Sequence, residues 1–145
     1  MMVPPTDLLT TQNYDLQFGT HVLGHYLLAR LLLPALQRST ALTGAKARVV
    51  HTASAGYAGA PAAGVEYVTL TPSAARDALL AKWGRLMAPW TLFGQSKLGV
   101  VLVANWFERV HGGEVVSCSV HPGFVHSRAG KPPRLFSLSR WSLPE

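Results

Sequence analysis

The order of two short valine-rich runs around one long apolar segment is the feature that most constrains this fold. The runs 47–53 and 115–120 are rich in β-branched residues, which predicts two strands. Between them, the segment 90–105 has no proline after Pro89, and the glycine pair that follows His111 supplies a stop. The helical stripe of this segment consists of Leu98, Val101, Leu102 and Asn105. Strand, long helix and strand in that order predict a right-handed crossover that joins two parallel strands.

A second helix is predicted ahead of the first strand. Thr10 or Thr11 can act as its N-cap, and its apolar residues continue to Leu32 almost all the way round. Such a helix is expected to be buried on most sides, and Pro34 is expected to kink it or begin its end. Irregular chain is predicted after the first strand, followed by a short helical segment over 73–80.

The size of the chain and its cysteine usage predict one domain in a reducing compartment. With 145 residues, 48% of them hydrophobic, the chain can bury one core and is too short for two. Cys118 is the single cysteine and lies inside a valine-rich run. This excludes an internal disulfide framework and predicts a small core residue, with the cytoplasm as the default location.

The net charge of +6 raises the question of nucleic acid or membrane binding. The basic residues are spread singly except for four near the end, which are Arg128, Lys131, Arg134 and Arg140. No aromatic–basic interleaving accompanies them, which argues against nucleic acid. The apolar stretch 22–36 contains His25 and Arg30 at mid-depth, and the first residues have no basic region. The sequence therefore predicts neither a membrane span nor a signal peptide.

The segment Phe93-Gly94-Gln95-Ser96-Lys97-Leu98 places a cation one helical turn from an aromatic ring. It resembles the active-site helix of the short-chain dehydrogenase/reductases, whose signature is a tyrosine, three intervening residues and a lysine. Phe93 stands where this family has its catalytic tyrosine. Without the resemblance, a core ring under a surface amine would be the favoured interpretation of this pair.

The resemblance covers roughly residues 3–128 and implies an α/β fold, a doubly wound Rossmann-like parallel sheet with flanking helices. It further implies NAD or NADP as the cofactor, in the oxidation of an alcohol or the reduction of a carbonyl. Residues 1–128 are expected to form the C-terminal part of this domain, without its N-terminal strands. Residues 129–145 are expected to form a loosely ordered basic tail.

Four positions of this chain align with the family's catalytic set. By resemblance, Ser54 holds the substrate oxygen, and Lys97 lowers the pKa of the tyrosine and binds the cofactor ribose. His21 stands where the family has an asparagine that kinks a helix and frees a carbonyl group. Phe93, at the fourth position, lacks the hydroxyl that moves the proton.

On the cofactor side, Pro122-Gly123 and Ser127 resemble the family's loop beside the nicotinamide amide. The Gly-rich turn that binds the pyrophosphate is not found in this sequence. Catalysis is therefore expected to be lost or nearly so, and cofactor binding to be weakened.

The sequence also contains residues that other kinds of chemistry would use. His21 and His25 have the spacing of a zinc-binding pair on a helix, but no third ligand is evident, so no metal is predicted. A hydrolytic pair of Ser54 with His51 or His121 lacks the Gly-x-Ser-x-Gly elbow. Replacement of the tyrosine by Tyr57 or Tyr26 would require either hydroxyl to reach a carbonyl held by Ser54.

Two parallel strands alone form a marginal sheet. This favours a different class of function, in which the chain is a non-catalytic partner of a homologous full-length subunit bound through the exposed sheet edge. A non-functional gene fragment and, through the basic tail, binding of acidic partners are the remaining alternatives.

Overall fold

The computed structural model describes residues 1–123, and its sheet has the predicted topology. Strand β1 (Ala47–Thr52) and strand β2 (Val115–Val120) are parallel and pair from Ala47 opposite Val115 to Thr52 opposite Val120. A long helix joins the end of β1 to the start of β2 and packs on the sheet. The fold is a partial Rossmann-like α/β arrangement, as predicted. Ser127 and the predicted tail at 129–145 lie outside the described residues.

The first helix begins later than predicted. It starts as α1 (Leu16–Phe18), with the Asp15 carboxylate as its N-cap, which accepts from the Phe18 N–H at 2.9 Å. Thr10 does not cap the helix, because its N–H and hydroxyl are both engaged in a turn with Tyr14. The choice of cap therefore depends on this turn.

This helical segment is longer than predicted and is interrupted by a wide turn. After α1 the chain forms a π-helical turn (Gly19–Gly24) and then α2 (His25–Thr43). Pro34 lies inside α2 without ending it, and Gly44 ends the helix in the left-handed conformation with φ 70°. Of the two expectations for Pro34, a kink or the end of the helix, the second is wrong, because α2 continues to Thr43.

Helix α2 is less buried than its composition predicts. Ala29 and Leu33 are buried, whereas the exposed fraction of Leu31 is 70% and that of Leu27 is 57%. Within residues 1–123 the helix has only two strands and one long helix to cover it. Burial on most sides would require neighbours that these residues do not provide.

Helix α3 (Ala74–His111) unites the predicted short helix and the predicted long one. Gly84 separates them, with φ 79° and ψ 157° inside the element. Ser73 caps the start by accepting from the Arg76 N–H at 3.0 Å. The buried stripe contains Leu92, Ser96, Val100, Ala104 and Phe107, one position away from the predicted one. The helix is long and apolar enough to cross a membrane, but this stripe packs against the sheet and the first helical segment.

The two helices cover one face of the sheet and leave the other open. The helix-covered face carries the buried Val115, Ser117 and His51. The open face carries Val50, which is 54% exposed, and Cys118 opposite it. The prediction of a buried Cys118 is therefore wrong, because the strand alternation turns this side chain to the uncovered face.

A buried ion pair anchors the N-terminal segment to α3. The guanidinium of Arg76 lies 3.7 Å from the Asp15 carboxylate and also donates to the carbonyl groups of Thr69 and Thr6. Burial raises the pKa of Asp15 despite this pairing. The network fixes the start of α1 next to the loop that precedes α3.

Candidate functional site

Ser54 lies in the loop that follows β1, at the carboxyl edge of the sheet. It is extended, with φ −166°, and caps a short 3₁₀ turn (Ala55–Gly59). Its hydroxyl oxygen accepts from the Gly56 N–H at 3.1 Å. The same oxygen has a second lone pair and a proton for a substrate oxygen.

The ring of Phe93 packs beneath this loop. A Cβ atom placed on Gly56 would lie 2.7 Å from the Phe93 ring and 3.3 Å from the Ser54 hydroxyl oxygen. Gly94 makes a similarly close approach to the backbone at Gly59. The two glycines let α3 approach the loop, and both the Ser54 hydroxyl and the Phe93 ring lie close to Gly56.

Lys97 lies between the ring and the end of β1. Its Nζ atom is 5.8 Å from the centroid of the Phe93 ring and donates to the Thr52 carbonyl at 3.0 Å. Burial lowers the pKa of this lysine. The cation is thus held beside Phe93 by the strand backbone, one turn along the helix from the ring.

His21 is buried behind Phe93. Its Nδ1 atom lies 2.9 Å from the Ser96 hydroxyl oxygen, and that hydroxyl donates to the Phe93 carbonyl at 2.8 Å. Because the Ser96 proton is used in this way, Nδ1 carries the proton donated to Ser96. Burial, followed by the charge of Lys97, lowers the pKa of His21 from 6.5 to about 4, so the ring is neutral at pH 7.

A side chain contacts the backbone of the π-helical turn around His21. His25 places its Nδ1 atom 3.0 Å from the His21 carbonyl oxygen. The family resemblance implies a helix distortion and a freed carbonyl at this position. In this chain the distortion is present, and a histidine side chain contacts the carbonyl.

Three of the histidines considered for other chemistry make contacts within the described residues. His21 and His25 use their Nδ1 atoms on Ser96 and on a carbonyl, and no set of three candidate metal ligands is found in residues 1–123. His51 packs against Phe107 on the covered face of the sheet, with a centroid distance of 6.4 Å. Within residues 1–123, the hydrogen-bond partner of the Ser54 hydroxyl is the Gly56 N–H and not His51.

The two tyrosines considered as replacements for the catalytic residue lie in other surroundings. Tyr26 packs against Trp106, with ring centroids 5.6 Å apart. Tyr57 is 49% exposed on the 3₁₀ turn. Neither hydroxyl makes a hydrogen bond with Ser54 or Lys97.

The predicted cofactor-side residues Pro122 and Gly123 follow β2 at the same edge of the sheet as Ser54. Both are exposed, and Gly123 has φ 77°. Thr52 and Val120 pair in register, so the loops after the two strands are neighbours. The described residues therefore bring Ser54, Lys97 and the Pro122-Gly123 turn to one edge.

A dinucleotide fits only part of this edge. A ribose or nicotinamide group finds hydrogen-bonding partners in Ser54 and Lys97, but a pyrophosphate requires free N–H groups at a helix N-terminus. In residues 1–123 the start of α1 is capped by the buried Asp15 carboxylate, which repels phosphate, and the start of α3 is capped by Ser73. The described part of the chain does not fit the whole cofactor.

Sequence reasoning missed Ser96, the residue that links His21 to the Phe93 backbone. Ser96 is fully buried and lies on the same stripe as Phe93. A hydroxyl three residues after an apolar position, facing the core, is the only local signal for such a role. Its partner lies 75 residues away in sequence and is set by tertiary packing.

Comparison with known proteins finds relatives that are named as dehydrogenases, reductases or oxidoreductases. A short-chain dehydrogenase/reductase from Armillaria gallica is 38% identical over 129 residues, which cover 88% of this chain and 38% of that protein. An oxidoreductase from Schizosaccharomyces pombe is 32% identical over 140 residues, covering 95% of this chain and 38% of that protein. Retinol dehydrogenase 11 from Mus musculus is 30% identical over 133 residues, covering 91% of this chain and 35% of that protein.

No protein-family model matches the chain, and no solved structure matches it. The chain spans 38% of the length of the first two of these relatives. Their similarity nevertheless extends over nearly the whole of this sequence and includes the crossover and the edge that carries Ser54 and Lys97. Over nearly its whole length, the chain is similar to members of the short-chain dehydrogenase/reductase family.

Proposed function

We propose that this chain is a member of an NAD(P)-dependent oxidoreductase family that has lost catalysis. The observation that carries the proposal is the ring of Phe93, which is 6% exposed and lies at the position of the family's tyrosine, beside Lys97 and under the Ser54 loop. A phenyl ring neither donates nor accepts a proton.

Carbonyl reduction requires an acid within hydrogen-bond reach of the carbonyl oxygen. Ser54 supplies a hydrogen bond to such an oxygen but has no general base or acid bonded to it in the described residues. Lys97 donates to Thr52, and His21 is neutral and bonded to Ser96. The proton path of the reaction is therefore interrupted at one residue.

The test is a fluorescence titration of the purified chain with NADH and with NADPH, together with Phe93→Tyr and the double variant Phe93→Tyr/Lys97→Met. We expect no saturable binding to the parent chain and no turnover of an alcohol or carbonyl panel. Turnover by the parent chain would overturn the proposal. Saturable binding, with turnover that appears in Phe93→Tyr and disappears in the double variant, would show that the cofactor site is intact and that Phe93 alone accounts for the lost catalysis.

We propose a second candidate function, a non-catalytic partner of a longer homologous subunit in the cytoplasm. The outer edge of β1 and the open face with Val50 and Cys118 support it, because a two-stranded sheet is marginal alone. An exposed free thiol also suits a reducing compartment.

Co-expression with a full-length relative should give a soluble complex of defined stoichiometry by native mass spectrometry. A chain that is insoluble alone and unchanged by the relative would favour a non-functional fragment.

A further inference from the structure

Lys97 differs from the other two lysines in the described part of the chain. Lys46 and Lys82 are exposed, whereas Lys97 is half-buried and bonded to the end of β1. The one ion pair among the described residues joins Arg76 to Asp15, so no carboxylate there neutralises the Lys97 ammonium group. An amine without a counter-ion, in partly apolar surroundings, loses its proton more readily than a solvated amine.

The groups packed around the amine favour its neutral form. Burial lowers the pKa of Lys97. The ring of Phe93 favours the charged form, but its centroid is 5.8 Å from the Nζ atom, near the outer limit of a cation–π contact. His21, from the first helical segment, adds no negative charge, because its ring is neutral at pH 7. The unprotonated fraction of Lys97 near pH 7 is therefore larger than that of an ordinary lysine.

The hydrogen bond that holds this amine leaves its lone pair available. Lys97 donates to the Thr52 carbonyl at 3.0 Å. A neutral amine makes such a bond with one N–H group and keeps its lone pair for a second partner. The backbone of the strand therefore holds the nitrogen in place without blocking the electrons that a nucleophile uses.

A hydroxyl that can bind a carbonyl oxygen lies close to this amine. Ser54 follows Thr52 by two residues, and its hydroxyl accepts from the Gly56 N–H, which leaves the hydroxyl proton free to donate. The Ser54 hydroxyl and the Lys97 amine both lie beside the ring of Phe93. The end of β1 thus carries a donor for a carbonyl oxygen and a nucleophile for a carbonyl carbon.

Trp90 adds an apolar surface on the same side of α3. Its ring is 45% exposed and lies edge-on to the ring of Phe93, with centroids 6.3 Å apart. Trp90, Phe93 and Lys97 are spaced three and four residues apart and so share one face of the helix. This surface favours a ligand with an aromatic body.

We propose that the Lys97 amine forms an imine with an aromatic aldehyde. The nitrogen attacks the carbonyl carbon, and the electron pair of the C=O bond moves to the oxygen bound by Ser54. That oxygen takes a proton from water and the nitrogen releases one, and the hydroxyl group then leaves as water with the second amine proton as the C=N bond forms. The reaction uses no oxidant, reductant, tyrosine or dinucleotide, and it goes beyond the proposed loss of oxidoreductase activity.

The experiment traps this imine in the full chain with benzaldehyde and sodium cyanoborohydride at pH 7. The reductant converts each imine into a stable benzylamine, and peptide mapping by mass spectrometry compares Lys97 with Lys46 and Lys82 in one sample. We expect Lys97 to be benzylated roughly tenfold faster than the two exposed lysines. In concentrated urea the difference should disappear, because it depends on the folded surroundings of Lys97.

Variants test the parts of the site, with Lys82 as the internal reference. Ser54→Ala removes the donor to the carbonyl oxygen and should slow benzylation of Lys97 severalfold without changing that of Lys82. Trp90→Ala should slow the reaction with benzaldehyde and leave the reaction with acetaldehyde, which has no ring, unchanged. Lys46→Arg, at an exposed lysine, is the matched control and should not alter the rate at Lys97.

The outcomes decide this inference separately from the proposed function. Equal benzylation of Lys97, Lys46 and Lys82 in the folded chain would overturn it. A rate at Lys97 that is the same in Ser54→Ala as in the parent chain would mean that the amine reacts without a carbonyl site, and would overturn it as well. Oxidation of NADH with an aldehyde by the parent chain, measured without cyanoborohydride, would refute the proposed function only. Preferential benzylation of Lys97 without such turnover supports both.

Discussion

The Nδ1 atom of His21 lies 2.9 Å from the Ser96 hydroxyl oxygen, and this contact fixes the π-helical turn against the helix that carries Phe93. Protonation of the His21 ring is disfavoured, because the ring is buried and lies close to the charge of Lys97, and both lower its pKa. At the position where the family has a catalytic asparagine, this chain thus has a neutral histidine that makes a structural contact.

We expect this contact to make the chain less stable in mild acid. The pKa of His21 is about 4 in the folded chain and 6.5 ordinarily, so the unfolded chain binds the proton first as the pH falls. This contribution to stability is present above pH 6.5 and is lost towards pH 4, by up to roughly 3 kcal/mol.

Urea unfolding at several pH values should show a smaller loss in His21→Asn, whereas His121→Gln, at an exposed histidine, should resemble the parent chain. Equal slopes in all three proteins would contradict this expectation. Asp15, whose pKa is raised, contributes with the opposite sign in all three and cancels in the comparison.

Gly56 should tolerate no side chain. A Cβ atom there would lie 2.7 Å from the Phe93 ring, so Gly56→Ala should lose about 1–3 kcal/mol of unfolding free energy. Gly59→Ala, on the same turn and with no atom within 4 Å of the added Cβ, serves as the control. Thermal melts should separate the two variants by several degrees, and recovery in Gly56→Ala/Phe93→Leu would identify the ring as the cause. Equal melting temperatures would mean that the ring moves aside freely.

Removal of Arg76 should be among the most destabilising single changes. Arg76→Ala leaves the Asp15 carboxylate buried and unpaired, which typically costs about 3–5 kcal/mol. Arg85→Ala removes an exposed arginine from the same helix and should change stability by less than about 0.5 kcal/mol. Chemical denaturation of both variants provides the measurement. A small loss in Arg76→Ala would indicate that water reaches Asp15 in its place.

Glu108 should protect the outer edge of β2. Glu108→Ala frees the Ser117 N–H, and we expect faster exchange of that amide and more self-association at high concentration. Glu108→Gln keeps an acceptor oxygen and should stay close to the parent chain. Exchange rates and light scattering together test the point, and identical behaviour of both variants would refute it.

The sequence predicts the parts of this fold that depend on local patterns. The β-branched runs at 47–53 and 115–120 and the long segment between them specify the crossover, because period and length are local properties. The start of the first helix was mispredicted because a turn at Thr10 competes for the cap.

Exposure was harder to predict because it depends on neighbours. Leu31 and Cys118 lie on faces that nothing in residues 1–123 covers, although their sequence context is typical of a core. Within the site, Ser54, Phe93 and Lys97 were placed by the resemblance. The Ser96 contact with His21 joins residues 75 apart in sequence, so the local signal at Ser96 does not identify its partner.

The unequal edges of the sheet set a limit on assembly. A further strand can pair with the outer edge of β1. The Glu108 carboxylate occupies the outer edge of β2, so in the described part of the chain a strand can be added at one edge of the sheet only. Growth of this kind ends after a single step and yields a pair of fixed composition. A filament, which needs two free sides on each unit, is disfavoured by the same carboxylate.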